Sequence, residues 1–132
     1  WHPPPARHYP GYSTPARGAL LYEEVARRAQ ERNSQGNVGL VVGATSPEEL
    51  AKVRAICPDM PILIPGLGAQ GGDVEASVGA GVDASGMRWV FNSSRGVIYA
   101  SKSADYAGAA RKAALETRDA INAARDSMGH AW

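Results

Sequence analysis

Cysteine is nearly absent. Cys57 stands alone, which excludes an internal disulfide and leaves no thiolate cluster for a metal. Its plain reading is a loop or core thiol. An excess of either charge is also missing: 14 Lys and Arg face 13 Asp and Glu, a formal net charge of +1. That balance gives no support for a nucleic-acid partner, which needs a concentrated basic face. No apolar run approaches the length that spans a bilayer. The N-terminus has no apolar signal-peptide core, so the expected location is the cytoplasm. It has no initiator methionine either, and the chain is expected to be an incomplete piece of something longer. What is present suits one ordinary soluble domain: 132 residues, 44% hydrophobic and 20% charged.

Residues 1–18 form an irregular tail. Pro3, Pro4, Pro5, Pro10 and Pro15 disfavour helix and central strand alike. His2 and His8 have no carboxylate or cysteine at metal-ligand spacing, so no metal site is expected.

From Ala19 the character changes. Leu20, Leu21, Val25, Ala26 and Ala29 recur at helical spacing, opposite Glu23, Glu24, Arg27, Arg28 and Glu31. Asn33–Gly36 ends this helix, and Asn37–Ala44 (NVGLVVGA) is an apolar run suited to a buried strand. Next comes a helix start with Ser46 as N-cap, Pro47 at the first position and Glu49 completing a capping box. Leu50, Val53 and Ile56 are its buried stripe.

The stretch Pro61–Asp73 (PILIPGLGAQGGD) organises the rest. Ile62-Leu63-Ile64 reads as a strand buried on both faces. Pro65 then opens a loop holding Gly66, Gly68, Gly71 and Gly72, and Asp73 caps a short helix that closes at Gly81. Strand, glycine loop and helix start in that order make an anion site, usually for phosphate. Val82–Arg88 is a polar connection. Trp89-Val90-Phe91 is the third strand, running into Asn92–Gly96. A last helix, about Ser103 to Asp126, carries Tyr106, Ala110, Ala113, Ala114, Ile121 and Ala124 at helical spacing.

Alternating helix and strand implies a parallel sheet with right-handed crossovers. A closed eight-stranded barrel takes about 250 residues, so the expected fold is α/β, the C-terminal portion of a (β/α)8 barrel, over residues 19–132. Its open strands invite aggregation or pairing. In a parallel sheet Gln70 and the Ser93-Ser94-Arg95 group lie beyond consecutive strand ends, where ligands bind. An Arg fork matches phosphate oxygens bidentately. Alone, Arg95 could be a surface cation and the glycines a tight turn; together they favour phosphate.

At these residues the chain resembles a known family. PGLGAQGGD (Pro65–Asp73) with NSSRGVIYA (Asn92–Ala100) is similar to the C-terminal part of orotidine 5′-phosphate decarboxylase, in its longer bacterial branch. The resemblance runs from about Leu20 to Asp126, and includes VGLVVGATSPEEL (Val38–Leu50) and PDMPILIPG (Pro58–Gly66). It implies a barrel enzyme that decarboxylates orotidine monophosphate to uridine monophosphate, using neither metal nor organic cofactor. It also implies a homodimer. By motif position, Pro65 would line the pyrimidine pocket and Gln70 would bridge base and phosphate. Ser94, through its backbone amide, and Arg95 would grip the phosphate. Binding energy from the phosphate would then support chemistry at the ring, with loop closure excluding water.

One departure is plain. The family's Asp-x-Lys-x-x-Asp motif has no match: the nearest candidate, Lys102-Ser103-Ala104-Asp105, has Ala100 at the first position. Lys52 and Lys112 fall on expected helices, as solvated charges. No catalytic residue is therefore assigned, and the chain alone is expected to be inactive. Two other readings stay open: a non-catalytic module binding nucleotide phosphates, and another phosphate-handling barrel, such as one for a sugar phosphate.

Overall fold

The computed structural model describes residues 20–66 and 73–130; residues 1–18, with the tail expected there, and Gln70 with its neighbouring glycines lie outside the described residues. Three parallel strands form one sheet in the order β1 (Leu40–Val41), β2 (Ile62–Pro65), β3 (Trp89–Asn92). Helices intervene: α1 (Leu21–Arg32), α2 (Pro47–Ile56), α3 (Val74–Gly81), α4 (Arg95–Ile98) and α5 (Tyr106–Ser127). The α/β alternation follows the sequence reading, with one addition. α4 is a single helical turn where the sequence reading placed no element.

The ladder is in register across all three strands. Leu40 pairs with Ile62 and Ile62 with Trp89; Val41 pairs with Leu63 and Leu63 with Val90. Although only Leu40–Val41 is paired strand, the amides of Leu40, Val42 and Ala44 reach the carbonyls of Pro61, Leu63 and Pro65 at 2.9–3.0 Å. The expected strand over Asn37–Ala44 is thus shorter as strand, and as a bonded edge it runs from Leu40 to Ala44.

Side chains alternate across a pleated strand, and the two faces of this sheet differ. Ile62 and Ile64 are buried with Leu50, Val53, Cys57 and Met60 in one core beneath the helices. On the other face the cross-strand row Val41, Leu63, Val90 is 69%, 37% and 61% exposed. Burial on both faces, expected from the apolar run, does not occur. Helices cover one side only, as on the outside of a barrel, and the uncovered row lies on the side that a closed barrel fills with its own strand side chains.

Several helix faces also turn differently from their patterns. In α1 Ala26 is buried, whereas Leu20, Leu21 and Val25 are exposed. The covering elements meet the Tyr22–Ala26–Ala29 side instead. Glu23 and Glu24 are half-buried because they pair with Arg27, Arg28 and Lys52. In α5 Ala124 is buried, while Tyr106 and Ala114 face outward.

Ser46 is the N-cap of α2 and Pro47 its first residue, yet the Ser46 side chain makes no cap bond. The first turn closes through the Ser46 carbonyl, which accepts from Glu49 and Leu50, so the capping box is not formed. Gly81 ends α3 as its last helical residue, not as a left-handed cap; Val82 is the C-cap. A Cβ there would meet Ile64 Cδ1, the far end of a buried side chain that would have to shift. Cys57 is a core thiol, donating to the Ala26 carbonyl at 3.3 Å, and burial raises its pKa.

At the edge from which the strands start, Arg54 is buried on α2 and binds only backbone. Its guanidinium donates to the carbonyls of Cys57, Pro58, Met60, Gly81 and Arg88. This ties the ends of α2 and α3 to the starts of β2 and β3. Beside it, Asp83 folds the α3–β3 connection around its carboxylate, accepting from the Ser85 amide and hydroxyl and the Met87 amide at 2.7–3.0 Å.

Candidate functional site

The candidate site lies at the opposite edge, where the strands end. Pro65 and Asn92 are the last residues of β2 and β3, and they are direct partners in the ladder. The two stretches singled out in the sequence therefore leave the sheet side by side. Pro65 is half-buried, and its carbonyl accepts the Ala44 amide at 2.9 Å, which holds the β1 end against it.

Beyond Pro65 the chain turns at Gly66, whose φ of +104° is a backbone region that side chains rarely enter. Gln70 lies outside the described residues, so its place beside the other site residues is a matter for proposal. The chain returns at Asp73, which caps α3 as expected: its carboxylate accepts the Ala76 amide at 3.0 Å. That bond occupies one of the first amides of α3 with the chain's own carboxylate. α3 is moored to the strand ends by Ser77, whose buried hydroxyl donates to the Ala44 carbonyl at 3.2 Å.

On the β3 side, Asn92 leads through Ser93 into Ser94, the N-cap of α4. The Ser94 carbonyl accepts from Val97 and Ile98 at 3.3 and 2.8 Å, while its hydroxyl makes no cap bond. The first amides of a helix have no intrahelical acceptor, so this turn presents donors at the strand ends. Arg95 opens the helix, is exposed, and has no ion pair among the described residues. The structure thus brings Pro65, Ser94 and Arg95 onto adjacent strand ends. Sequence reasoning missed that Ser94 starts a helix; a serine pair before Arg95 is the N-cap signal that could have shown it.

Chemically this edge offers a guanidinium without an ion pair among the described residues and helix-start amides, which suit a phosphate. Lys52 pairs with Glu23 at 3.7 Å and Lys112 with Glu116 at 3.8 Å, both on exposed helix surface away from the strand ends. Among the described residues no group of three or more His, Cys, Asp or Glu could hold a metal, and no helix is long and apolar enough to cross a membrane.

Comparison with known proteins shows which family the chain is similar to. The chain is 60% identical over 109 residues to an orotidine 5′-phosphate decarboxylase of Azoarcus sp., and 57% identical over 110 residues to one of Ralstonia pickettii. It matches a C-terminal part of the orotidine 5′-phosphate decarboxylase family. These matches cover 82% and 83% of the chain but 40% and 41% of the relatives, so the chain spans about two-fifths of the curated relatives it matches. Solved structures agree. The Leishmania donovani OMP decarboxylase superposes with a TM-score of 0.66 at 43% identity, over 86% of this chain and 42% of that one. The Leishmania donovani UMP synthase gives 0.66 at 45% identity, over 83% and 24%. No protein-family model matches the chain. The three parallel strands with their helices accordingly have the fold of one part of a barrel, the part that superposes on the OMP decarboxylase.

Proposed function

We propose that this chain is the phosphate-gripping part of an orotidine 5′-phosphate decarboxylase, a carboxy-lyase converting orotidine monophosphate to uridine monophosphate and CO2. The observation that carries the reading is the pairing of Pro65 with Asn92, which raises the Gly66 loop and the Ser94–Arg95 turn from neighbouring strand ends. In this reading Arg95 and the Ser94 amide bind the phosphate, Pro65 lines the pyrimidine pocket, and Gln70 joins base to phosphate. Substrate held at its non-reacting end supplies binding energy to the reacting ring. The chemistry uses no metal or organic cofactor, and the residues that move the proton come from the barrel part this chain does not span. A homodimer in the cytoplasm is the assembly and location that go with the family.

The test is to assay the chain by itself and then fused behind the N-terminal part of the Azoarcus relative. The chain alone should release no CO2 from orotidine monophosphate. The fusion should be active, and Arg95→Ala should lower kcat/KM roughly 10- to 100-fold, as for loss of a charged hydrogen-bonded contact. Activity in the isolated chain, or indifference of the fusion to Arg95→Ala, would overturn the proposal. The absence of an Asp-x-Lys-x-x-Asp motif favours a second reading, a non-catalytic module that binds nucleotide phosphates. Calorimetry with uridine monophosphate beside the activity assay separates the two: binding by a fusion that releases CO2 supports the first, binding by one that releases none supports the second.

A further inference from the structure

A hydroxyl in the body of a helix ordinarily bonds back to a carbonyl of its own preceding turn. Thr117 and Ser127 of α5 do so, donating to the Ala113 and Ala124 carbonyls at 2.8 and 2.7 Å. Ser77 does not. The Asp73 carbonyl, one turn before it, accepts the Ser77 amide at 3.0 Å, while the Ser77 hydroxyl leaves α3 and donates to Ala44. Ser77 is fully buried, where a hydroxyl is costly unless it is bonded. What the serine adds over an apolar side chain is a directed contact with the end of the β1 edge.

Ala44, also fully buried, is bonded on both sides. Its carbonyl accepts from Ser77, and its amide donates to the Pro65 carbonyl at 2.9 Å. Proline has no amide, so that carbonyl is the single backbone group through which hydrogen bonding can hold Pro65. A line of contacts thus runs from α3 through Ala44 to the last residue of β2. The Ser94–Arg95 turn shares none of these bonds: it closes on itself, the Ser94 carbonyl accepting from Val97 and Ile98.

We infer that Ser77 is a positioning residue of the proposed site. Through Ala44 it sets where Pro65 stands, and so the base end of the site, without acting on the phosphate end at Ser94 and Arg95. The inference rests on the functional reading above. Being fully buried, Ser77 works through Ala44 and not on a ligand. Without its hydroxyl the Ala44 carbonyl is left buried and unpaired, and the strand end moves toward another donor. A misplacement of about 1 Å far from the chemistry can cost as much as about 100-fold.

The test uses the fusion described above, with calorimetry on two ligands: uridine monophosphate, and ribose 5-phosphate, which carries the phosphate without the base. Ser77→Ala should weaken uridine monophosphate roughly 5- to 10-fold, the scale of one buried hydrogen bond, and leave ribose 5-phosphate within about twofold. Arg95→Ala should weaken both ligands. Val78→Ala, beside Ser77 and equally buried, should lower the melting temperature without changing the ratio of the two affinities. Ser77→Cys, close in volume and a weak donor, should fall between parent and Ser77→Ala, and serves if the alanine variant does not fold. Equal weakening of both ligands by Ser77→Ala, no weakening of either, or the same ratio change in Val78→Ala would overturn the inference. So would failure of both Ser77 variants to fold, which would make the residue one of stability alone. A parent that binds uridine monophosphate but not ribose 5-phosphate has no separate phosphate end and overturns it too. Binding that Arg95→Ala weakens and Ser77→Ala does not sinks this inference and leaves the functional proposal standing. A parent fusion that binds neither ligand sinks both.

Discussion

Arg54 closes on the Gly81 carbonyl with two nitrogens, Nε at 2.9 Å and Nη2 at 2.6 Å. That contact spans 27 residues and joins the end of α3 to α2. Burial lowers the Arg54 pKa, with Asp83 the first of the charges opposing that effect. Four further carbonyls complete the ring of acceptors, so removing the side chain strands several buried groups at once. Arg54→Met should destabilise the chain by about 3 kcal/mol or more, since a buried acceptor left unpaired costs about 1–3 kcal/mol. Arg54→Lys should recover only part, because a point charge cannot reproduce the planar fork. Urea denaturation of the three proteins checks the order; a Lys variant as stable as the parent would refute the clamp.

Gly81 faces Ile64 Cδ1 so closely that a methyl group fits only if that buried side chain shifts, and Leu50 Cδ2 would sit at 3.4 Å. Gly81→Ala should therefore cost about 1–3 kcal/mol as overpacking, against a gain of up to about 1 kcal/mol in helix propensity. Ile64→Val removes the colliding Cδ1 and makes room. In that background Gly81→Ala should be neutral or stabilising, a coupling that a double-mutant cycle in denaturant reads directly. Additive costs would show that the collision is relieved elsewhere.

These two contacts mark where sequence reading stops. Strand and helix order were legible because apolar runs alternate with capped helices: Asp73 caps α3, and Trp89–Phe91 forms a strand as expected. The site was legible as two stretches, since Pro65 and Arg95 fall at successive strand ends in any parallel sheet. Which face each helix buries was not. Val25 is the more apolar of the two neighbours in α1, yet the position of the packed elements buries Ala26 and leaves Val25 exposed. Arg54 reads as one more helix-surface cation, because its five acceptors are carbonyls that no sequence pattern displays. The exposure of Val41, Leu63 and Val90 escaped for a related reason. Parallel strands are apolar on both sides, whether or not both sides are covered.

Asp83 gives the chain an acid-sensitive term. Burial pushes its carboxyl up, but the Ser85 hydroxyl, the Met87 and Ser85 amides and Arg54 outweigh that, leaving it below the ordinary carboxylate value. The folded pKa thus lies below the unfolded one. The stabilisation is complete above the unfolded value near 3.9 and is lost as pH falls through the folded value. Asp83→Asn should lower stability at pH 7 by about 1–3 kcal/mol and flatten the decline below about pH 4. Urea midpoints from pH 7 to pH 2.5 measure both; parallel curves for parent and variant would exclude the assignment.

Ser94 and Arg95 are adjacent, yet the proposed phosphate site uses them differently, and substitution can separate the roles. The Ser94 hydroxyl makes no cap bond, and in the proposed site its contribution is the backbone amide, which alanine retains. In the active fusion, Ser94→Ala should leave the affinity for uridine monophosphate within about twofold. Arg95→Ala removes the fork itself and should weaken binding roughly 10- to 100-fold, while Arg95→Lys should restore charge without bidentate geometry and fall between. Added salt should weaken the parent and the Lys variant more than the Ala variant, because a partly exposed charge contact is screened. Calorimetry at two ionic strengths reads all four proteins. A large loss in Ser94→Ala would place the hydroxyl, not the amide, on the phosphate. Equal affinities for Arg95→Lys and the parent would reduce Arg95 to a general positive charge and remove the case for a shaped phosphate grip.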